Sequence, residues 1–291
     1  MSNIIKSICI GVLVMNTIDR DINNTGIAIK SGPGYWVKDN GDLYSKIYFS
    51  TNEPVQEIIK YFDLKDKNIL TVIGSGDQAF AFCKHSPKKV DLFDMNKLAV
   101  YYFYLRLWAI KYLDSLYPVF IFEKSGIKNL LSCVDATSEE EICAYNFWMK
   151  YSDVYTPRDT WNLMLSGVFD TKALNDNDIL DIKQKLSSIN NIYNIDISKD
   201  INMHNKYDII YVSNISDFID NINSMKIYRD NLSHLLKDDG FVLCSNVTRI
   251  GESRLQRCVF EEKFMLHSLP VEYIKLAGVE YSLGYYYTKH N

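Results

Sequence analysis

The sequence predicts an α/β protein built on a doubly wound, mostly parallel sheet. Three observations carry this. From residue 67 onward, short apolar runs alternate with helix-length stretches. The first run, "NILTVIG" (68–74), turns through Gly74-Ser75-Gly76-Asp77 straight into a helical pattern. The second run, "KVDLFDMN" (89–96), ends in Asp94, twenty residues past Gly74.

Taken in order, residues 1–42 read as an N-terminal extension, with turn chemistry at "SGPG" (31–34) and "KDNG" (38–41). Residues 4–15 are apolar, with Lys6 among them, and too short to span a bilayer. No small-residue cleavage site follows, so a buried strand or helix is expected there rather than a leader. In "LYSKIYFSTNEPVQEIIKYFDL" (43–64), Ser50, Thr51 or Asn52 is placed to cap a helix opening at Glu53-Pro54. Residues 68–74 then form a buried strand, 78–85 a helix, 89–96 a second strand and 97–116 a long helix.

Residues 124–190 break the rhythm, look helical and carry Tyr145, Phe147, Trp148 and Trp161. An inserted helical cap fits, because ligands in this architecture bind beyond the carboxyl ends of the strands. Beyond it, "YNIDISKD" (193–200) follows a third strand, and "KYDIIYVSN" (206–214) is a fourth. "IYRDNLSHLLKDDG" (227–240) is a helix with a glycine stop, and "FVLCSN" (241–246) is the strand after it. "FMLHSLPVEYI" (264–274) and "YSLGYYYTKH" (281–290) suit a terminal antiparallel pair. The expected organisation is thus one domain over 43–291, with its insertion at 124–190, behind the extension.

Composition narrows the function. A hydrophobic fraction of 47% with 23% charged residues is that of an ordinary globular chain. The formal net charge of −4 lacks the positive field that nucleic acid requires, so no nucleic-acid partner is expected. Cys9, Cys83, Cys133, Cys143, Cys244 and Cys258 stand far apart and form no metal-ligand spacing. Free thiols in a reducing, cytoplasmic setting are expected, with no metal. No oligomeric state is specified.

The glycine turn carries the chemistry. A strand that bends sharply into a helix needs backbone angles open mainly to glycine, and room for a ligand to press on the main chain. Gly74 and Gly76 provide both. A third glycine of the dinucleotide fingerprint is missing, and Asp77 repels a pyrophosphate, so a nicotinamide dinucleotide is disfavoured. A carboxylate at Asp77 suits a ligand with a cationic amine. Asp94 is placed to accept both hydroxyls of a ribose from a solvent-facing strand end. A ribose plus an amino-acid-like end, without pyrophosphate, describes S-adenosylmethionine. Asp196 would then reach the adenine, and Asn214, at the end of the fourth strand, the transferred group. Competing readings are an ordinary tight turn for Gly74–Asp77, a loop acid for Asp196 and a turn asparagine for Asn214.

The segments "IYFSTNEPV", "ILTVIGSGDQAFAF" and "VDLFDMNKLAVYYFYLRLWAI" resemble the betaine-lipid aminocarboxypropyltransferase family and its relatives. The likeness covers residues 43–113 well, 206–246 loosely and 1–41 not at all. It implies the class I S-adenosylmethionine-dependent Rossmann-like fold. It also implies a cofactor site at Gly74, Ser75, Gly76, Asp77, Asp94, Met95 and Asn96, with Asn214 near the acceptor. The segment before the first strand would pack over the cofactor's amino-acid end through Glu53, with Tyr48 and Asn214 as candidate catalytic residues. The function implied is transfer of the 3-amino-3-carboxypropyl group to a small-molecule acceptor. Methyl transfer is the alternative enzyme reading, and a non-catalytic cofactor-binding module the alternative outside enzymes. "YYFYLRLWAIKY" (101–112) reads as helix packing, with Tyr101, Leu105, Trp108 and Tyr112 on its core face.

Overall fold

The computed structural model describes residues 37–39, 42–44, 51, 53, 55–115, 126–151, 174, 176–199, 201–219, 221–245, 254–269, 274–276, 279–281 and 284–290. In chain order the elements are β1 (Val37–Asp39), β2 (Asp42–Tyr44), α1 (Val55–Ile59), β3 (Asn68–Val72), α2 (Asp77–Cys83), β4 (Lys89–Asp94) and α3 (Lys97–Leu113). Then come α4 (Gly126–Leu131), α5 (Glu139–Tyr151), α6 (Ile179–Lys185), β5 (Ile189–Asn194), β6 (Tyr207–Ser213), α7 (Ile222–Leu235) and β7 (Leu236–Cys244). The chain closes with α8 (Arg254–Phe260), β8 (Phe264–Ser268), β9 (Ile274–Leu276), β10 (Val279–Tyr281) and β11 (Tyr285–Lys289). They fall into two compact units, one of Met1–Phe49 with Asn96–Gly167 and one of Ser50–Met95 with Val168–Asn291.

The larger unit holds a seven-stranded sheet in the order β5-β4-β3-β6-β7-β11-β8. β3 to β7 pair in parallel, and β11 runs antiparallel between β7 and β8. This is the doubly wound, mostly parallel Rossmann-like sheet expected, and its terminal antiparallel pair is β8 with β11. β3 sits in the middle, which is why Ile69, Leu70, Thr71 and Val72 are all buried: a central parallel strand is covered on both faces. β5 lies at the edge, and its Asn190, Asn191 and Asn194 suit a strand with one side unpaired. The order reverses between β3 and β6, so the crevice of a doubly wound sheet opens beyond the carboxyl ends of these two strands.

One boundary departs from the sequence reading. The helix ends at Leu235, and β7 already begins at Leu236, so "LKDDG" is strand and not a helix tail with a glycine stop. Gly240 answers to a close approach instead. A Cβ built there would lie 2.7 Å from the Asp208 carbonyl oxygen and 2.9 Å from Leu236 Cδ1, closer than a real Cβ comes. The β6–β7 register shifts between Tyr207 and Ile209, which brings those backbones together.

A buried polar knot fixes the β4–β5–β6 part of the sheet. Asp91 is fully buried. It accepts from Tyr207 Oη at 2.7 Å, Asn190 Nδ2 at 3.1 Å and the Asn191 amide at 3.0 Å, and pairs with Lys89 at 2.8 Å. At the start of β3, Asp208 accepts from the Asn68 amide and from Lys237 at 2.9 Å. α6, placed within the expected insertion, belongs to this unit and lies against α2. Lys185 Nζ donates to the Lys84 carbonyl at 2.7 Å, and Lys84 pairs with Asp178 at 2.7 Å.

In the other unit β1 and β2 pair antiparallel across residues 39–42, and α3, α4 and α5 pack together. Asn96 caps α3 by accepting from the Leu98 amide at 3.1 Å. Trp148 is fully buried and its indole donates to the Tyr101 carbonyl at 2.8 Å, while Phe147 lies 5.0 Å from the Tyr101 ring. Burial along α3 is wider than the single expected stripe: Tyr102, Phe103 and Arg106 are as covered as Tyr101 and Leu105. The expected turn at 31–34, the helix at 159–169 and Trp161 lie outside the described residues. Among the described residues no helix is long and apolar enough to cross a membrane, and no group of three metal-ligating side chains occurs. Cys83, Cys133 and Cys258 are free, and burial pushes the Cys83 thiol up to about 11, which makes it inert.

Candidate functional site

The glycine turn adopts the geometry its sequence requires. Gly74 has φ +53° and Gly76 has φ +91°, both in the left-handed region. A side chain at such a position costs about 1–2 kcal/mol. The turn is closed by the Gly76 amide on the Ile73 carbonyl, at 2.6 Å, and by the Ile73 amide on Phe93 O, at 2.9 Å. The Gly74 amide donates to Asp94 Oδ2 at 3.0 Å. Asp94 thus ties the end of β4 to the turn after β3. It is 8% exposed, so the solvent-facing strand end expected for it is in fact buried.

Asp77 is held by the chain's own donors. It is fully buried, and its Oδ2 accepts from the Thr51 amide at 2.6 Å and from Ser75 Oγ at 2.9 Å. These donors tie Oδ2 to the segment that precedes β3. Asp77 therefore acts as an anchor: it fixes Thr51, whose Oγ1 accepts from the Glu53 amide at 3.1 Å. The hydroxyl expected to cap a helix serves this turn, and α1 starts at Val55.

The anchored segment delivers Glu53 to the end of β6. Glu53 Oε2 accepts from Tyr211 Oη at 2.6 Å and from Gln78 Nε2 at 3.4 Å, and Glu53 Oε1 accepts from Ser213 Oγ. Tyr211 Oη lies 3.3 Å from Ser245 Oγ at the end of β7, and Ser213 Oγ lies 3.2 Å from Asn214 Oδ1. Burial, and next the neighbouring Glu53 charge, push the Tyr211 phenol well above its ordinary range, so it stays a donor. Ser213 sits at φ +54°, rare for a residue with a side chain, and from there its hydroxyl reaches Glu53. Residues of α2 and β6 therefore meet Glu53, and Ser245 just after β7 joins them through Tyr211, at the carboxyl ends of the strands beside the topological switch point.

The remaining expected site residues have settings of their own. Asp196 follows β5 in a tight turn, where Oδ1 accepts from the Ser198 amide at 3.0 Å and Ser198 Oγ at 2.6 Å, and Oδ2 pairs with Lys199 at 3.3 Å. Met95 is half-buried directly after Asp94. Asn96 belongs to the other unit. Tyr48 and Asn52 lie outside the described residues. The sequence reading missed Gln78, Tyr211, Ser213 and Ser245. One signal was present: Tyr211 and Ser213 alternate on one face of an otherwise aliphatic strand end, where polar side chains need partners.

No protein-family model matches the chain, and no curated protein sequence matches it. Solved structures do show similarity. A TehB-like S-adenosylmethionine-dependent methyltransferase from Corynebacterium glutamicum aligns at TM-score 0.45 and 11% identity, covering 83% of this chain and 90% of that one. The N-methyltransferase NodS from Bradyrhizobium japonicum, in complex with S-adenosyl-L-homocysteine, aligns at TM-score 0.40 and 10% identity, covering 82% and 84%. The glycopeptide N-methyltransferase MtfA, complexed with sinefungin, aligns at 0.41 and 8%, covering 82% and 86%. The fold assignment itself rests on the strand order and on the left-handed glycine turn.

Proposed function

We propose that the chain is an S-adenosylmethionine-dependent transferase acting on a small-molecule acceptor. The observation that carries this reading is the Gly74–Gly76 turn at the β3/β6 switch point, with the Asp94 carboxylate bonded to its first amide. Two residues without Cβ, one on each side of Ser75, let a ligand press against the main chain. In this reading Gly74, Ser75 and Gly76 cradle the cofactor's amino-acid side. Asp94, whose two oxygens offer about four acceptor sites, takes the ribose hydroxyls besides the Gly74 amide. Met95 and Asp196 border the adenine, and Asn214 borders the reacting groups. The Glu53 carboxylate close to the turn disfavours a pyrophosphate.

S-adenosylmethionine, when bound, supplies an electrophilic carbon on a sulfonium. The chain's own residues bind it, orient the acceptor and exclude water. Burial of Glu53, Gln78, Tyr211 and Ser245 gives such a water-poor floor. Within this class, the likeness at residues 43–113 supports transfer of the 3-amino-3-carboxypropyl group, and methyl transfer uses the same floor. Mass spectrometry of the nucleoside product decides between them: methylthioadenosine for the former, S-adenosylhomocysteine for the latter. Cofactor binding with neither product in the presence of cell extract identifies a binding module.

A further inference from the structure

The Glu53 cluster is short of donors and of positive charge. Glu53 is 2% exposed, and its partners Tyr211, Ser213 and Gln78 are all neutral donors. Among the described residues no cationic side chain pairs with it. A buried carboxylate without a counter-charge is costly, and a cation arriving from outside would offset that cost. Gln78 adds an independent sign. It is 3% exposed, and its Nε2 must face Glu53 because a carboxylate only accepts. Its Oε1 is left buried with no hydrogen-bond partner among the described residues. That oxygen lies by the glycine turn: a Cβ built on Gly74 would fall 3.8 Å from Gln78 Oε1 and 3.6 Å from Nε2.

We propose that Glu53 and Gln78 together receive a cationic amine of a bound ligand, the carboxylate meeting its charge and Gln78 Oε1 accepting one of its N–H bonds. A sulfonium brings charge but no hydrogen to donate, so it leaves Gln78 Oε1 unmet. This deepens the transferase reading and rests on it for the ligand's identity. The amine has two sources, the α-ammonium of the adenosyl cofactor or an amine on the acceptor.

Calorimetry on the full chain separates them. S-adenosylhomocysteine carries the ammonium and no sulfonium, and methylthioadenosine lacks the amino-acid end. If the cofactor is the source, Glu53→Gln weakens S-adenosylhomocysteine tenfold or more and leaves methylthioadenosine within twofold. If both affinities hold, the acceptor arm decides: thermal unfolding with ethanolamine against ethylene glycol, and n-butylamine against n-butanol, with S-adenosylhomocysteine present. Stabilisation by the amines alone, in wild type and not in Glu53→Gln, assigns the acceptor as the source. Parallel weakening of both nucleosides, or no preference for amines in either arm, overturns the proposal. If Glu53→Gln does not fold, Glu53→Asp, which keeps the charge but withdraws it, is read by the same two ratios. If wild type binds no adenosyl compound, the transferase reading fails, and the amine series run without nucleoside still decides this one.

Discussion

Replacing Asp94 separates a structural role from a ligand role. In the folded chain, Asp94 Oδ2 accepts from the Gly74 amide at 3.0 Å, at a position only 8% exposed. Hydrogen bonds to a charged group contribute about 1.5–3 kcal/mol. Asp94→Ala should therefore cost about 2 kcal/mol of stability, a fall in Tm of roughly 3–4 °C for a chain of this size. If Asp94 also holds a ribose, the same variant loses a further 2–3 kcal/mol in ligand affinity, roughly 30- to 150-fold. Asp94→Asn is the discriminating variant. Its amide oxygen can still accept from Gly74, so stability should return to within about 1 kcal/mol of wild type. Without the charge, affinity should stay about tenfold weak. Urea unfolding reads the first quantity and calorimetry with S-adenosylhomocysteine the second. If Asp94→Ala unfolds more easily but binds the nucleoside like wild type, Asp94 only braces the turn and the ribose assignment fails.

Gly76→Ala places a side chain at φ +91° and should cost about 1–2 kcal/mol in urea unfolding; an unchanged midpoint would mean that the turn is not held in the left-handed region. Burial alone would raise the Asp91 carboxyl, but bonds from Lys89, Tyr207, Asn190 and Asn191 outweigh it and hold the group below the usual carboxylate value. Its stabilisation is then complete above the unfolded value near 3.9 and fades as pH falls from there through the lower folded value. Asp91→Asn should flatten this acid limb of the stability curve, and an equally steep limb would assign the acid sensitivity elsewhere. Trp148→Phe removes the indole bond to the Tyr101 carbonyl and should cost about 0.5–1.5 kcal/mol. A cost near zero in denaturant unfolding would show that the bond adds nothing.

The sheet was legible because its signals are local. A short apolar run followed by glycines at Gly74 and Gly76 predicts both a central strand and positive φ, and both are present. The twenty-residue spacing of Asp94 placed it against the turn, as the bond to the Gly74 amide shows. The cluster around Glu53 was not legible because its bonds close over long separations. Glu53 and Tyr211 are 158 residues apart, and no pattern within one element pairs them. The bond from the Thr51 amide to Asp77 was not legible either, because a carboxylate after a glycine turn has the same sequence whether or not it takes such a donor. "LKDDG" misled for a similar reason. Its charges and terminal glycine imitate a helix stop, whereas Gly240 answers to backbone crowding against Asp208.

Calorimetric titration of the wild-type chain tests the central claim most directly, with S-adenosylmethionine, S-adenosylhomocysteine and NAD in separate runs. The glycine turn with Asp94 at its mouth predicts saturable binding of both adenosyl compounds at micromolar strength, on the order of 7–8 kcal/mol, and no heat from NAD. Saturable binding of NAD with no response to either adenosyl compound would contradict it.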